Sequence, residues 1–257
     1  MWHFIKSYIQ FLIKSTNAHG VHSPFVYNLI TKCFYDKTRF KAYQTIKDYR
    51  QQLYQNNATI SVTDFGAGSR VFKSNQREIS KIAKNVGISN KRAQLLYRIV
   101  TYFKSENTLE LGTSLGIATV GLSLGHPTGK ITTIEGCPET AKIARQQFDS
   151  FKLNNISLSI SNFETELETL KHHDFDLIYI DGNHQKEATL NYFETLLNAV
   201  HNNSVIIFDD IHWSQPMTEA WEQIKQHPKV TVTIDTFFWG FVFFRKEQEK
   251  EHFIIRV

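Results

Sequence analysis

Acidic residues end two apolar segments of this sequence, and their type points to cation chemistry. Asp181 ends the segment FDLIYID, and Asp209 and Asp210 end the segment SVIIFDD. Both segments have the composition of buried strands, and ligands of open α/β sheets bind at the carboxyl ends of the strands. Three converging carboxylates repel one another unless a cation lies among them, and hard oxygen ligands suit Mg²⁺. We therefore expect Asp181, Asp209 and Asp210 to bind a divalent cation, with helix capping by Asp209 or Asp210 as the structural alternative.

A glycine-containing turn comes earlier, in the sequence LELGTSLG from Leu109 to Gly116. Where such a turn opens a helix, the free backbone N–H groups and the helix dipole favour an anionic or carboxylate-bearing ligand. Ser114 adds a hydroxyl to the turn, and Glu110 can accept a hydrogen bond from a ligand ammonium group. A purely structural strand-to-helix turn has the same pattern, so the turn alone does not establish a ligand site.

Glu135 ends the next apolar segment, on the order of 20 residues after the glycine turn. An acidic side chain at that distance accepts hydrogen bonds from both hydroxyls of a ribose. Together, the turn and Glu135 predict a nucleoside site. Nicotinamide-dependent enzymes share both features, so these two elements do not identify the nucleoside.

These motifs together resemble the class I O-methyltransferases of the catechol and caffeoyl-CoA type and the related sugar O-methyltransferases. The resemblance spans about residues 88 to 245 and rests on LELGTSLG, on TTIEG, on FDLIYIDGNH, and on VIIFDD followed by IHW. It implies that the first two motifs bind S-adenosylmethionine and that the last two bind Mg²⁺ through Asp181, Asp209 and Asp210. The predicted cofactor contacts are Glu110, Gly112, Ser114, Gly116, Glu135, Gly136, Asn162 and Asp181.

The catalytic base departs from the pattern of both related groups. Catechol-type enzymes commonly have a lysine three residues after the first metal carboxylate, where this chain has His184. Sugar-type enzymes have an acidic residue two positions on, where this chain has Asn183, which cannot act as a base. A histidine has an ordinary pKa of about 6.5 and accepts a hydroxyl proton near neutral pH. We therefore predict Asp181 and His184 as the catalytic residues, and the class of acceptor stays open.

A second glycine turn, TDFGAG from Thr63 to Gly68, looks on its face like a better methyltransferase motif. No strand with an acidic end follows it at the required distance. Basic residues follow instead: Arg70, Lys73, Arg77, Lys81 and Lys84. We therefore predict a turn of the N-terminal region, lining the substrate entrance, and place the cofactor at the turn after Leu111.

The elements that must position these residues alternate short apolar runs with helix-length segments, which is typical of a parallel sheet flanked by helices. The predicted strands are Thr108–Leu111, Lys130–Ile134, Ile156–Ile160, Phe175–Ile180, Ser204–Phe208, Lys229–Thr236 and Phe238–Phe244. Helices are predicted at about 116–124, 138–151, 164–171, 185–200 and 214–226. The last two strands have no helix between them and must form an antiparallel hairpin. The predicted fold class is α/β, a Rossmann-like seven-stranded and mostly parallel sheet behind a helical N-terminal cap.

Residues 1–105 are polar and mainly helical in pattern, so they are predicted to form the cap, and residues 106–257 the catalytic domain. The first fifteen residues have a helical pattern with an apolar stripe, made of Trp2, Ile5, Ile9, Leu12 and Ile13. Such a stripe docks on a protein domain more often than on a membrane. We therefore expect this helix to dock through its stripe, on its own chain or on a partner.

Composition limits the partners and the compartment. The chain has 29 basic and 25 acidic residues, a net charge of +4 that is too mild to indicate nucleic acid. Cys33 and Cys137 are far apart and predict neither a disulfide framework nor a cysteine zinc site, so a reducing, cytoplasmic location is expected. No apolar run reaches the length of about 18 residues that a membrane-spanning helix needs.

The expected partner is a hydroxylated small molecule, and a homodimer stays open. One rival function is a methyltransferase of the same fold that acts on RNA or protein without metal, with the basic cap as its docking surface. Another is a nicotinamide-dependent oxidoreductase, which is disfavoured because no tyrosine–lysine pair or similar hydride-transfer pair stands out. A third is a binding module that kept the fold and lost its chemistry.

Overall fold

The computed structural model describes residues 2–65 and 72–257 and shows an α/β fold with an eight-stranded, mostly parallel sheet. The predicted fold class is confirmed. The chain divides into two compact units. The central unit consists of residues 37–166, and the terminal unit combines the chain up to Asp36 with the chain from Leu167 onward.

The part of the chain that the structure describes contains ten α-helices and ten strands. The helices are α1 (Trp2–Lys14), α2 (Pro24–Leu29), α3 (Ala42–Tyr54), α4 (Ile79–Asn85), α5 (Asn90–Phe103), α6 (Ile117–Gly125), α7 (Pro138–Ser150), α8 (Phe163–Leu170), α9 (Lys186–Leu196) and α10 (Gln215–Gln226). The strands are β1 (Thr59–Ser61), β2 (Gln76–Glu78), β3 (Asn107–Leu111), β4 (Lys130–Glu135), β5 (Ile156–Ile160), β6 (Phe175–Ile180), β7 (Val200–Asp209), β8 (Val232–Asp235), β9 (Trp239–Phe243) and β10 (Glu251–Ile254).

All seven predicted strands are present, as β3 to β9, and the eighth strand of the sheet, β10, was not predicted. β10 has four residues, of which only Phe253 is buried, and it follows a run of charged residues. An alternation this short does not stand out from a loop. The cap region also contains a small antiparallel pair, β1 with β2, where helices were expected. The boundary at residue 105 stays a prediction.

The central unit holds three parallel strands with β4 in the middle, paired with β3 on one side and β5 on the other. Their register places Glu110 opposite Thr133 and Glu135 opposite Ile160. β3 is buried at four of its five residues, which is the composition expected of a parallel strand covered on both faces. β3 and β4 therefore end at the same level, and both lead into the turns where ligand contacts are predicted.

The terminal unit holds five strands in the order β10-β8-β9-β7-β6. β9 is antiparallel to both β7 and β8, whereas β6 pairs with β7 and β10 with β8 in parallel. The predicted antiparallel hairpin of β8 and β9 is therefore confirmed. Trp221 of α10 covers this sheet, and a Cβ at Gly240 would lie 2.7 Å from its ring, so glycine is required there.

α1 forms as predicted, but its predicted stripe does not pack on this chain. The stripe of Trp2, Ile5, Ile9, Leu12 and Ile13 faces outward, and every one of these residues is exposed. The opposite face packs instead, because Phe4, Tyr8 and Phe11 place their rings 4.8–5.5 Å from the ring of Phe237. α1 thus has two apolar faces, and the aromatic one packs on Phe237.

A chain of side-chain hydrogen bonds joins α1 to α10 and to the end of β8. His3 Nε2 lies 3.1 Å from Thr218 Oγ1, which lies 3.2 Å from His212 Nδ1. His212 Nε2 in turn lies 2.8 Å from a carboxylate oxygen of Asp235. His212 and Asp235 are both buried, so this chain fixes the first turn of α1 on the terminal unit.

Within residues 2–65 and 72–257, no helix is both long enough and apolar enough to cross a membrane.

Candidate functional site

The predicted glycine turn lies between β3 and α6 and has a left-handed backbone at three residues. The angle φ is +100° at Gly112, +48° at Ser114 and +79° at Gly116. Glycine adopts these angles readily, whereas a serine there is strained and must be held by its surroundings. The N–H groups of Gly112 and Thr113 both donate to the carbonyl oxygen of Ile134, at 3.0 and 3.2 Å. The turn is therefore tied to the end of β4.

Glu135 is the group that holds Ser114 in its strained conformation. One carboxylate oxygen of Glu135 accepts a hydrogen bond from the Ser114 N–H at 2.7 Å, and the other accepts from the Cys137 N–H at 2.8 Å. Burial raises the pKa of Glu135, against the opposing effect of these N–H donors. A carboxylate has about four acceptor positions, so the same group can also accept from ligand hydroxyls. The structure thus places Glu135 against the glycine turn.

Gly116 begins α6 at a point where the chain has no room for a side chain. A Cβ there would overlap the hydroxyl of Tyr49 and lie 2.5 Å from the ring of Phe148. The Tyr49 hydroxyl also donates to the carbonyl oxygen of Leu115 at 2.8 Å. α3 and α7 therefore support the turn from behind.

Glu110 and Asn162, both predicted cofactor contacts, make bonds within the central unit. Glu110 is fully buried, and one of its oxygens accepts from the hydroxyls of Thr119 and Thr133, each at 2.6 Å. Asn162 accepts from the Thr165 N–H at 2.8 Å at the start of α8. Glu110 links β3, β4 and α6 and so stabilises the base of the turn.

Phe65 was not predicted as a site residue, yet it lies beside Glu135. Its ring is exposed, and a Cβ at Gly136 would come within 2.7 Å of it. The Thr63 N–H also donates to the sulfur of Cys137 at 3.3 Å. The sequence does show an aromatic residue in a predicted turn, but the residue that Phe65 contacts, Gly136, is 71 positions further along the chain.

The rejected turn at Thr63 to Gly68 therefore begins next to Gly136. Asp64 forms an ion pair with Arg77 at 3.3 Å. Gly66 and Gly68 lie outside the described residues, so the predicted role of this turn at the substrate entrance stays a prediction.

In the terminal unit, Asp181 and His184 meet in the loop after β6. His184 Nε2 lies 3.6 Å from one oxygen of Asp181, and the Tyr179 hydroxyl donates to the other at 3.1 Å. Burial lowers the pKa of His184, but the bond to Asp181 and the charges of Asp181 and Asp210 outweigh it, so the pKa is raised. The structure thus brings Asp181, His184 and Asp210 within electrostatic reach of one another.

The loops after β6 and β7 contain unusual backbone at the predicted positions. The angle φ is +67° at Asn183, +42° at His184 and +53° at Asp210. Left-handed residues other than glycine are uncommon, and they concentrate in active sites and ligand clamps. Asn183 is held in place by a bond from its amide to the Tyr192 hydroxyl at 2.9 Å.

The structural alternative for Asp209 and Asp210 was that one of them caps the next helix, and the structure assigns that cap elsewhere. Ser214 caps α10 by accepting from the Met217 N–H at 3.3 Å. Asp209 is buried as the last residue of β7, and Asp210 follows it. Among the residues that the structure describes, however, no group of three or more His, Cys, Asp or Glu side chains could hold a metal ion. The binding of a divalent cation by Asp181, Asp209 and Asp210 therefore stays a prediction.

Part of the chain is similar to a known family of protein domains. Residues 109–211 match a family model described as a methyltransferase domain. Among curated proteins, none matches the sequence.

Several solved structures share the fold at low sequence identity. The SAH-bound methyltransferase PaMTH1 of Podospora anserina is 16% identical with a TM-score of 0.62, and the match covers 88% of this chain and 97% of that chain. The O-methyltransferase of Bacillus cereus in complex with SAH is 18% identical with a TM-score of 0.57, covering 83% of this chain and 95% of that one. TomG, the O-methyltransferase of Streptomyces achromogenes involved in tomaymycin synthesis, in complex with SAM, is 14% identical with a TM-score of 0.58, covering 84% and 95%. The chain thus shares its fold with these methyltransferases, and its residues 109–211 are similar to a methyltransferase domain.

Proposed function

We propose that this chain transfers a methyl group from S-adenosylmethionine to a hydroxyl group of a small molecule. The observation that carries the proposal is the 2.7 Å bond from the Ser114 N–H to the Glu135 carboxylate, at a strained turn that opens α6. A structural turn alone does not need an acidic residue whose ionised form is opposed by burial. A nucleoside site does, because a carboxylate there accepts both ribose hydroxyls.

In this proposal the central unit binds the methyl donor. S-adenosylmethionine supplies an electrophilic methyl group on its sulfonium centre. The backbone N–H groups at the start of α6 favour the carboxylate of the donor, and Glu135 accepts from its ribose hydroxyls. Gly112 and Gly136 keep the backbone free of side chains there, and the exposed Phe65 ring offers a face on which a nucleobase stacks.

The terminal unit contributes proton chemistry. We propose that His184 accepts the proton that the acceptor hydroxyl releases and that Asp181 positions the imidazole through the ion pair at 3.6 Å. The raised pKa of His184 makes the imidazole a stronger base than an ordinary histidine, provided that the pH is high enough for it to be neutral. The small size of the acceptor is proposed from the O-methyltransferase fold.

The requirement for a divalent cation stays a prediction. The chemistry above is described for side chains of this chain alone, and a cation bound by Asp181, Asp209 and Asp210 would in addition lower the pKa of an acceptor hydroxyl. Methyl transfer that stops in excess chelator and returns with Mg²⁺ would establish the cation requirement. Full activity in chelator would remove Asp181, Asp209 and Asp210 from the list of metal ligands.

Calorimetric titration of S-adenosylmethionine into the purified chain, with Mg²⁺ and then with chelator, tests the proposal. We expect saturable binding of about one molecule per chain, and weaker binding by Glu135→Gln by about tenfold or more, since bonds to a charged group contribute about 1.5–3 kcal/mol. Absence of binding under both conditions would overturn the proposal and direct attention to nicotinamide cofactors.

The two glycine turns provide a matched comparison in the same experiment. We expect Gly112→Val to abolish binding, because valine is strongly disfavoured at a φ of +100°. The double variant Gly66→Val and Gly68→Val should retain binding. The opposite pattern would place the cofactor at the turn from Thr63 to Gly68.

A further inference from the structure

The outward face of α1 is an apolar surface that the chain itself does not cover. The exposed fraction is 79% for Trp2, 78% for Ile13 and 53% for Ile9, and Ile5 and Leu12 are also exposed. We call these five residues the apolar face of α1. They recur at helical spacing, so they form one continuous stripe along a helix of 13 residues.

The helix that presents this face is firmly attached to the terminal unit. Its buried side packs on Phe237, and its first turn is bonded through His3 to Thr218 at 3.1 Å. At its other end the Arg256 guanidinium donates to the carbonyl oxygen of Leu12 at 3.3 Å and to the hydroxyl of Ser15 at 3.1 Å. The apolar face is therefore presented on a fixed helix.

The charges around the apolar face are positive. The sequence of α1 contains Lys6 and Lys14 and no acidic residue. A groove lined by His3, Lys186 and residues of α10 contains Glu219 and Glu222. These two carboxylates are paired with Lys186 at 2.8 Å and with Lys225 at 2.7 Å. An occupant of the apolar face thus meets Lys6 beside the face and Lys14 at the end of the helix, and the two glutamates of the groove are paired with lysines.

A second copy of the chain or a lipid surface could cover such a face, and the charges on α1 favour one of the two. A second copy of the chain would bring a second Lys6 and Lys14 against the first pair, with no carboxylate on either helix to offset them. An anionic lipid surface attracts the lysines and also buries the stripe. At about 1.5 Å per residue, α1 is about 20 Å long, shorter than a hydrocarbon core of about 30 Å, so it would lie in the plane of the interface.

We propose that α1 docks this chain on the surface of an anionic lipid bilayer, with its apolar face immersed and Lys6 and Lys14 at the lipid headgroups. The apolar stripe supplies the burial, and the two lysines supply the preference for anionic lipid. This docking does not depend on methyl transfer, and it is measured without any cofactor.

Cosedimentation with vesicles tests the proposal. We expect the chain to bind vesicles of phosphatidylcholine and phosphatidylserine and to bind pure phosphatidylcholine far more weakly. The double variant Ile5→Glu and Ile9→Glu should lose binding, because it places carboxylates on the immersed face. Val86→Glu is the matched control, since Val86 is an equally exposed apolar residue of the central unit, and it should bind like the original chain.

The charge requirement is tested separately. Lys6→Gln and Lys14→Gln should each weaken binding by about fivefold, because one lysine near an anionic surface contributes about 1 kcal/mol. These changes leave both apolar faces of α1 intact, so they remain informative if the glutamate variant fails to fold. Equal binding to neutral and anionic vesicles would overturn the charge argument.

The fluorescence of Trp2 and the state of association complete the test. Vesicles should shift the emission of the chain to shorter wavelength, and Trp2→Phe should remove that shift. No binding by the original chain to anionic vesicles would overturn the proposal. So would a dimer in sedimentation that Ile5→Glu with Ile9→Glu dissolves, because it would identify a second copy as the occupant.

Discussion

Sequence motifs indicate where single residues of the candidate site lie along the chain, but they do not indicate which distant residues these side chains contact. The motifs place Glu135 at the end of a strand after the glycine turn, and the structure adds the bond to the Ser114 N–H at 2.7 Å. Phe65 is different, because a ring in one loop beside Gly136 in another depends on the packing of β1 next to α7. No local pattern encodes such a contact, so sequence reasoning could not name Phe65.

Glu135 leads to a prediction about the pH dependence of cofactor binding. Burial raises the pKa of Glu135 above its ordinary value of 4.5. The ionised carboxylate accepts more strongly from ribose hydroxyls than the protonated carboxyl, which also turns one acceptor into a donor. Affinity for S-adenosylmethionine should therefore be constant at neutral pH and should fall on acidification, starting at a higher pH than for an ordinary glutamate. Calorimetric titrations over this range measure the effect.

Glu135→Gln is the control for that titration. Its weaker affinity should not change over the same acidic range, because glutamine does not titrate. If the original chain and Glu135→Gln lose affinity in parallel on acidification, another group is responsible.

Helices and strands were predicted correctly where the hydrophobic pattern extended over enough residues or where glycine or acidic residues marked the ends of the element. β3 to β9 and α6 to α10 alternate along the chain, and apolar strands followed by glycine or acidic residues mark their ends. β10 was not predicted because a segment of four residues is too short to show a clear alternation of apolar and polar residues. The face of α1 that packs on this chain could not be predicted, because the helix has two apolar faces and only the tertiary fit to Phe237 determines which one packs.

The start of α6 gives a prediction about stability. Gly116→Ala should lower the free energy of unfolding by about 2 kcal/mol, because a φ of +79° disfavours an L-residue and the added Cβ overlaps the Tyr49 hydroxyl. Urea unfolding measures the change.

Gly87→Ala is the matched control for the stability measurement. The atom nearest to a Cβ at Gly87 is the Cδ1 of Ile117, the flexible end of a side chain that can move aside. This variant should therefore change stability much less than Gly116→Ala. Equal losses in the two variants would show that the backbone angle at Gly116 is not the cause.

The molecule as a whole shows an organisation that a linear sequence conceals. The terminal unit is assembled from both ends of the chain, up to Asp36 and from Leu167 onward. The Thr16 N–H donates to the carbonyl oxygen of Ile254 at 2.9 Å, although the two residues are separated by most of the chain. Composition and periodicity describe segments, so they cannot show which distant segments share one core.

His3 makes the stability of the whole molecule depend on pH. Burial, followed by the positive charges of His212 and Lys6, lowers the pKa of His3 below its ordinary value of 6.5. A histidine with a lowered pKa takes up its proton more readily in the unfolded chain, so its stabilising effect is complete above 6.5 and is lost as the pH falls below it.

We expect His3→Gln to lose less stability than the original chain when the pH falls from neutral to below 6.5. Urea unfolding at several pH values measures this difference, and glutamine keeps a polar side chain toward Thr218. Comparing the two chains isolates His3 from the other histidines, including His184, whose raised pKa acts in the opposite direction. Identical pH profiles would show that His3 does not contribute.

The hydrogen-bond chain from α1 to Asp235 has a direction, because its last member can only accept. When His212 donates to the Asp235 carboxylate from Nε2, its Nδ1 is left facing the Thr218 hydroxyl. That hydroxyl also lies 3.2 Å from the carbonyl oxygen of Ser214, to which it donates, and its oxygen faces His3 Nε2. A buried carboxylate at one end is thereby connected, through two imidazoles and one hydroxyl, to the first turn of α1, so a change of protonation at either histidine is felt two residues after Asp210 as well as in α1.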